Sequence, residues 1–342
     1  MFPLSILATQ KAYLPWFHST HIQLFTFPGE GLKFYTQPFC TQHQTSRLYY
    51  PHCPLLDVQN LDGVLLERWG GDPIDQVMAC IDAGYYVQLA VDFFYLPCRA
   101  PFGRAHFADD VLVSGYDTAR QVLAISGFNA QGRYGLAPVE FTNMTQALST
   151  PKECYFEDAR GTGQLPPWFG AAMIDRPRVF LYRYRTDTSF RFDPGAVAEQ
   201  LEDYLESRDS AKRHRWLANS RPGGIWGLET YRALAAMLHI WKKEPAGHSS
   251  IPLHVFWEHK TCMLGRLRYM EEEGYLPAKE GIARAYAAVE KKANRARLIE
   301  LRWRTTRMAG ALAKAAAILL ETMVLERPLL GRVVTLLRHY RS

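Results

Sequence analysis

The residues best placed to do chemistry fall in one short stretch, Arg104-Ala105-His106-Phe107-Ala108-Asp109-Asp110, directly ahead of a run that reads as a strand. A histidine at the mouth of a strand, beside carboxylates, is where a thiol enzyme could keep its general base, since imidazole titrates near neutral pH. The same spacing suits a surface histidine tied to Asp109 or Asp110. A nucleophile would decide between the two. Cys98 is close in sequence and has a cation, Arg99, beside it, one of the conditions that stabilise thiolate. Cys80 sits inside an apolar helical pattern, and Cys40 and Cys53 flank aromatic turns. An unpaired cysteine is more often a small buried hydrophobe than a nucleophile. Further along, His254, Glu258 and His259 lie near one face of a predicted helix, but no HExxH pattern is present. A satisfied helix histidine explains them, and neither metal nor other cofactor is expected.

The elements that must position these groups read as follows. Pro73 to Ala83 has apolar residues at Ile74, Val77, Met78 and Ile81, a helical spacing that Gly84 stops. The aromatic and β-branched run Tyr85 to Tyr95, closed by Pro97, reads as a buried strand. Asp110 to Asp117 and Gln121 to Phe128, joined by a polar turn, read as a hairpin. Tyr134 to Val139 and Val179 to Tyr184 add strands, the second after a Pro- and Gly-rich connection at Gly161 to Gly170. Beyond Asp193-Pro194 the pattern turns helical, with Asp193 as N-cap and Pro194 at the first position. Helices are expected over Leu228 to Trp241, opened by Gly223-Gly224, and over Leu253 to Glu273. From Lys279 to about Arg341 two long helices are expected, separated near Pro328. The fold class is therefore α+β: an antiparallel-sheet domain over 1–190, then an all-helical domain over 191–342.

Length and composition suit two ordinary globular domains, with 342 residues of which 48% are hydrophobic. Met1 to Ala8 is apolar but lacks a basic n-region, and Ala309 to Leu325 is interrupted by Lys314 and Glu321. Neither a secretory signal nor a membrane span is expected. Six cysteines without paired spacing fit reduced thiols in the cytoplasm. The formal charge of +6 is unevenly placed, because Ile282 to Ser342 alone holds thirteen Lys or Arg against four Asp or Glu. That basic segment suits an acidic partner or the solvated face of long helices, and no nucleic-acid role is expected.

The stretch His106 to Asp117, with the strand Val122 to Ile125 and Gly127-Phe128 after it, resembles the N-terminal domain of the butirosin-biosynthesis protein H family. Gly224 to Tyr231 and Leu253 to Lys260 are similar to the helical region that follows this domain, so the resemblance spans roughly residues 1 to 275. Leu14-Pro15-Trp16-Phe17-His18-Ser19 is similar to proteins encoded beside nonribosomal peptide synthetases. The resemblance implies a papain-like fold related to bacteriocin-processing cysteine peptidases. It also implies acyl transfer from a carrier-protein thioester to an amine by a Cys-His pair. Where the family has its cysteine, at the start of the first helix, a predicted helix from Phe17 to Phe25 offers His18, Ser19, Thr20 and His21. Anchoring on Gly115-Tyr116-Asp117 puts the family histidine at Asp109 or Asp110, with His106 just upstream, and the third position at Ser126 or Asn129.

The candidate catalytic residues are accordingly His106, Asp109, Cys98 and Ser19, and the candidate substrate-binding residues Asp110, Tyr116 and Asp117. Three functions follow. The first is a biosynthetic accessory acting on a carrier-bound thioester. The second is a catalytically inactive papain-like module that binds a carrier protein or peptide, and the third an unrelated interaction protein.

Overall fold

The computed structural model describes residues 2–28, 34–39, 53–62, 70–150, 178–210, 224–243 and 249–340. The helices among them are α1 (Phe2–Leu7), α2 (Leu14–Ser19), α3 (Pro73–Asp82), α4 (Phe141–Leu148), α5 (Pro194–Leu205), α6 (Glu229–Lys243), α7 (Ile251–Glu272), α8 (Ile282–Thr306) and α9 (Ala311–Arg338). The strands are β1 (Gln23–Pro28), β2 (Phe34–Phe39), β3 (Leu56–Asp62), β4 (Tyr86–Asp92), β5 (Ala108–Asp117), β6 (Val122–Phe128), β7 (Tyr134–Glu140), β8 (Arg178–Tyr184) and β9 (Ile225–Trp226). The Gly161 to Gly170 connection, Gly223, Cys40 and Cys154 lie outside the described residues.

Two compact units divide the chain: one holds Met1–Lys11 and Cys53–Ser189, the other Ala12–His52 and Phe190–Ser342. This corrects the division expected from sequence, because Ala12–His52 belongs with the helices and not with the first sheet. The first unit is built on an antiparallel sheet in the order β3-β8-β4-β5-β6-β7. Val87, Leu89, Val91, Val111, Val113, Leu123, Ile125 and Leu181 form a buried apolar cluster with Ile74 and Val77 of α3 and Met144 and Ala147 of α4. The period of two along each strand puts these side chains on one face. Asp72 caps α3, its side chain accepting from the Ile74 amide at 2.7 Å, and Pro73 opens the first turn.

The second unit is not all-helical. It carries a small sheet in the order β2-β1-β9, in which Phe25 pairs with Trp226 and stacks on it at 5.0 Å. The helix expected from Phe17 to Phe25 is also shorter, ending at Ser19 before β1 begins. β-branched and aromatic residues after His21 favour the extended state, and His21 itself turns the chain with φ 56°. The two long helices are separated at Arg307 to Gly310, where both end residues are left-handed, and not at Pro328. Pro328 lies inside α9 at an exposed position, one turn after exposed Val324, so water can serve the carbonyl that the proline ring leaves without a donor. No helix among the described residues is long and apolar enough to cross a membrane.

Candidate acid–base site

β4 ends sooner than its sequence suggests, and this creates the site. The run from Tyr85 looks like strand through Tyr95, but the Asp92 side chain accepts from the Phe94 amide at 3.0 Å and winds Phe93–Tyr95 into a turn of 3-10 helix. The same oxygen, Oδ1, accepts from the Phe107 amide at 3.0 Å, fastening the start of β5 to the end of β4. The other oxygen lies 2.6 Å from His106 Nδ1. Asp92 is wholly buried, while the His106 side chain keeps 20% of its exposure.

An ionised carboxylate only accepts hydrogen bonds, so opposite one Nδ1 of His106 is the donor of this pair. The ring is further held by stacking on Phe94, with centroids 4.3 Å apart, and by Tyr95 at 6.1 Å. The ring plane and direction are therefore held by groups on one turn. A carboxylate, a histidine and an aromatic shelf in this order can take a proton from a reacting group and return it.

The expected partners of His106 are thus replaced. Asp110 accepts from Gln88 Nε2 at 2.8 Å, and Gln88 in turn accepts from the Tyr182 hydroxyl at 2.9 Å. Burial pushes the Asp110 carboxyl up to about 6 despite the Gln88 bond. Asp109 turns one oxygen to the Asp110 amide, and burial raises its carboxyl too. Asp117 accepts from the Arg120 amide in the β5–β6 turn, and Tyr116 donates to Asp82 at 2.6 Å on the surface. Both contacts lie at the surface, one fastening the turn and the other tying β5 to α3.

Burial raises the Cys98 thiol, outweighing the nearby Arg99 cation. The Arg99 guanidinium is committed elsewhere. It donates to the carbonyls of Phe128 at 2.5 Å and Ser126 at 3.2 Å, and lies over the Phe93 ring. Gly127, with φ 151°, makes room for it, since a Cβ there would stand 2.5 Å from Nη2. Cys98 is therefore a protonated thiol on an anchored loop, the opposite of what its neighbour suggested.

Ser19 belongs to the other unit, is buried at the end of α2, and its Oγ has no hydrogen-bond partner among the described residues. Around it, Arg266 of α7 donates to the carbonyls of His18 at 2.8 Å and Thr20 at 2.6 Å. His18 stacks on Tyr269 at 4.6 Å, and burial, aided by Arg266, lowers its pKa to about 3. Of the helical candidates, His254 meets Glu258 at 3.2 Å on the surface, whereas His259 turns inward to the Ile22 carbonyl at 2.8 Å. The described residues hold no cluster that could bind a metal ion.

No family model and no characterised protein matches this chain. The site is therefore judged on its own geometry. Asp92 is the residue that sequence reasoning missed; the signal available was an acid directly ahead of three aromatic residues, with a proline five positions on, a capping position hidden in an apolar run.

Proposed function

We propose that this chain is an accessory protein of peptide or nonribosomal natural-product biosynthesis. On this reading its first unit is papain-like and promotes acyl transfer from a carrier-bound thioester to an amine. The observation that carries the reading is the 2.6 Å bond between buried Asp92 and His106 at the adjoining ends of two antiparallel strands. His106 acts as the acid–base group. The amine nitrogen attacks the thioester carbonyl carbon while His106 Nε2 accepts its proton. The carbon–sulfur bond then breaks, the amide is released, and the imidazolium returns the proton to the departing thiolate. Direct transfer of this kind needs no enzyme thiolate, which agrees with a Cys98 thiol that burial keeps protonated.

The same state of Cys98 also favours a second reading, in which the unit binds the intermediate without reacting. Incubation with an acyl-pantetheine thioester and an amine separates the two. Amide formation lost in His106→Ala and retained in Cys98→Ala and Ser19→Ala supports direct transfer. A covalent acyl adduct by intact mass that disappears in Cys98→Ala or Ser19→Ala replaces it with nucleophilic catalysis. Neither product nor adduct, at any pH from 6 to 9, leaves the binding module.

A further inference from the structure

The outer face of α8 and α9 combines two surfaces that the fold does not use. Along α9, the exposed residues Ala313, Ala317, Leu320, Val324 and Pro328 recur at steps of three and four, which places them on one stripe. Leu320 is 40% exposed and Val324 70%. Along α8, Arg284, Lys291, Arg295, Leu298 and Arg302, at steps of seven, four, three and four, share one stripe and are likewise exposed. The two stripes adjoin. Lys292 of α8 donates to Glu321 of α9 at 2.7 Å, and Arg295 joins Lys292 in holding that carboxyl below its usual range.

The acids that could neutralise this face are occupied. Glu300 and Glu326 are buried, Glu290 accepts from Trp257, and Glu321 is held by Lys292. Lys291, Arg302, Lys314 and Arg327 make no ion pair among the described residues. An exposed apolar stripe beside uncompensated cations marks an interaction surface. Its chemistry narrows the occupant. A second copy would bring the same cations against these. A lipid surface is gripped by a face of bulky Trp, Phe and Leu side chains, and of the five residues on this stripe only Leu320 is one. The small side chains at Ala313 and Ala317 instead allow a second helix to approach closely.

We propose that this face docks an acidic amphipathic helix of a partner protein, its apolar edge along Ala313 to Pro328 and its carboxylates against Lys291, Arg295, Arg302 and Arg327. The identity of that partner rests on the function proposed above: it is the carrier that brings the thioester. The test titrates a fluorescently labelled, phosphopantetheinylated acidic acyl carrier protein with the full chain and reads anisotropy at low and physiological salt. Leu320→Glu with Val324→Glu, and separately Arg295→Glu with Arg302→Glu, are each expected to weaken binding at least about tenfold, and added salt to weaken it further. All four positions are exposed, so circular dichroism should match the parent chain. Carrier binding unchanged in both variants overturns the proposal. So does tight binding to phosphatidylserine vesicles with no carrier binding, or a dimer that Leu320→Glu dissolves. The free pantetheine thioester needs no docking, so its turnover judges His106 separately. Turnover without carrier binding removes this surface alone, and carrier binding without turnover removes the reaction alone.

Discussion

Replacing Lys260 with methionine should destabilise the helical unit by about 3–5 kcal/mol, the usual cost of leaving one half of a buried ion pair uncompensated. Lys260 and Glu326 are both fully buried, with the ammonium 3.2 Å from each carboxylate oxygen. At that separation an effective dielectric of 20 gives an attraction of about 5 kcal/mol. The carboxylate also accepts from the hydroxyls of Tyr204 at 2.9 Å, Tyr231 at 2.7 Å and Tyr286. The ammonium lies 2.5 Å from the Tyr204 hydroxyl and within 4.7 to 4.9 Å of the ring centroids of Tyr204, Tyr231 and Phe256. Burial still lowers its pKa to about 8, so desolvation consumes much of the attraction. Methionine fills nearly the same volume but removes the charge and the donor to Tyr204, leaving the buried Glu326 carboxylate with only the tyrosine hydroxyls. For a unit of this size the melting temperature should fall by roughly 10 °C. Glu326→Gln removes the other charge yet keeps an acceptor for the tyrosines, so the double variant should recover most of the loss, with a coupling of at least about 2 kcal/mol. Urea titrations followed by tryptophan fluorescence on the four proteins provide the measurement. A Lys260→Met cost below about 1 kcal/mol, or a double variant no better than the sum of the singles, would refute the reasoning.

Three further outcomes are expected. Asp92→Asn keeps an oxygen for the Phe94 and Phe107 amides but turns a donor toward His106. The imidazole should then protonate at Nε2, visible as a tautomer change in ring nitrogen shifts, with any His106-dependent rate falling by about 10²-fold or more. Gly227→Ala should cost more than about 3 kcal/mol, because φ is 54° and the new Cβ would stand 2.1 Å from the Tyr204 carbonyl oxygen; a urea midpoint within error of the parent counts against this. His18 stays neutral in the fold to about pH 3, whereas its ordinary value is 6.5. The unfolded chain therefore takes up the proton first, and stability is lost as pH falls through that window. His18→Gln should flatten this part of the stability profile relative to the parent chain, and parallel profiles would show that His18 does not contribute.

Capping chemistry made several elements legible. Asp193-Pro194 announces a helix, and the acid accepts the amide hydrogen bond that the pattern implies. The hairpin and the strands around it were likewise marked by alternation and turn residues. What stayed hidden depends on tertiary context. Asp92 reads as one more strand residue until its side chain is seen to bend the chain and receive His106. Pro328 reads as a helix boundary, but local propensity gives way where a long apolar face, Leu319 to Leu337, is buried on the bundle. Ala12–His52 reads as part of the first sheet domain because aromatic strands resemble one another whichever sheet they join.

The division of the second unit into two separate stretches of chain has a consequence for the order of synthesis. Arg266 reaches back 248 positions to the His18 carbonyl, and β1 pairs with β9 some 200 residues later. Residues 53–189 are thus an insertion within the second unit, and α2 and β1 wait for their later partners while the inserted sheet is made and can close on itself. Ile22 and Leu24 gain their cover only once residues from Phe192 onward, which complete their apolar cluster, have been made. A nascent chain of this design depends on a chaperone, or on speed, at one particular stage. A fragment cut at residue 190 would hold that unprotected stage indefinitely.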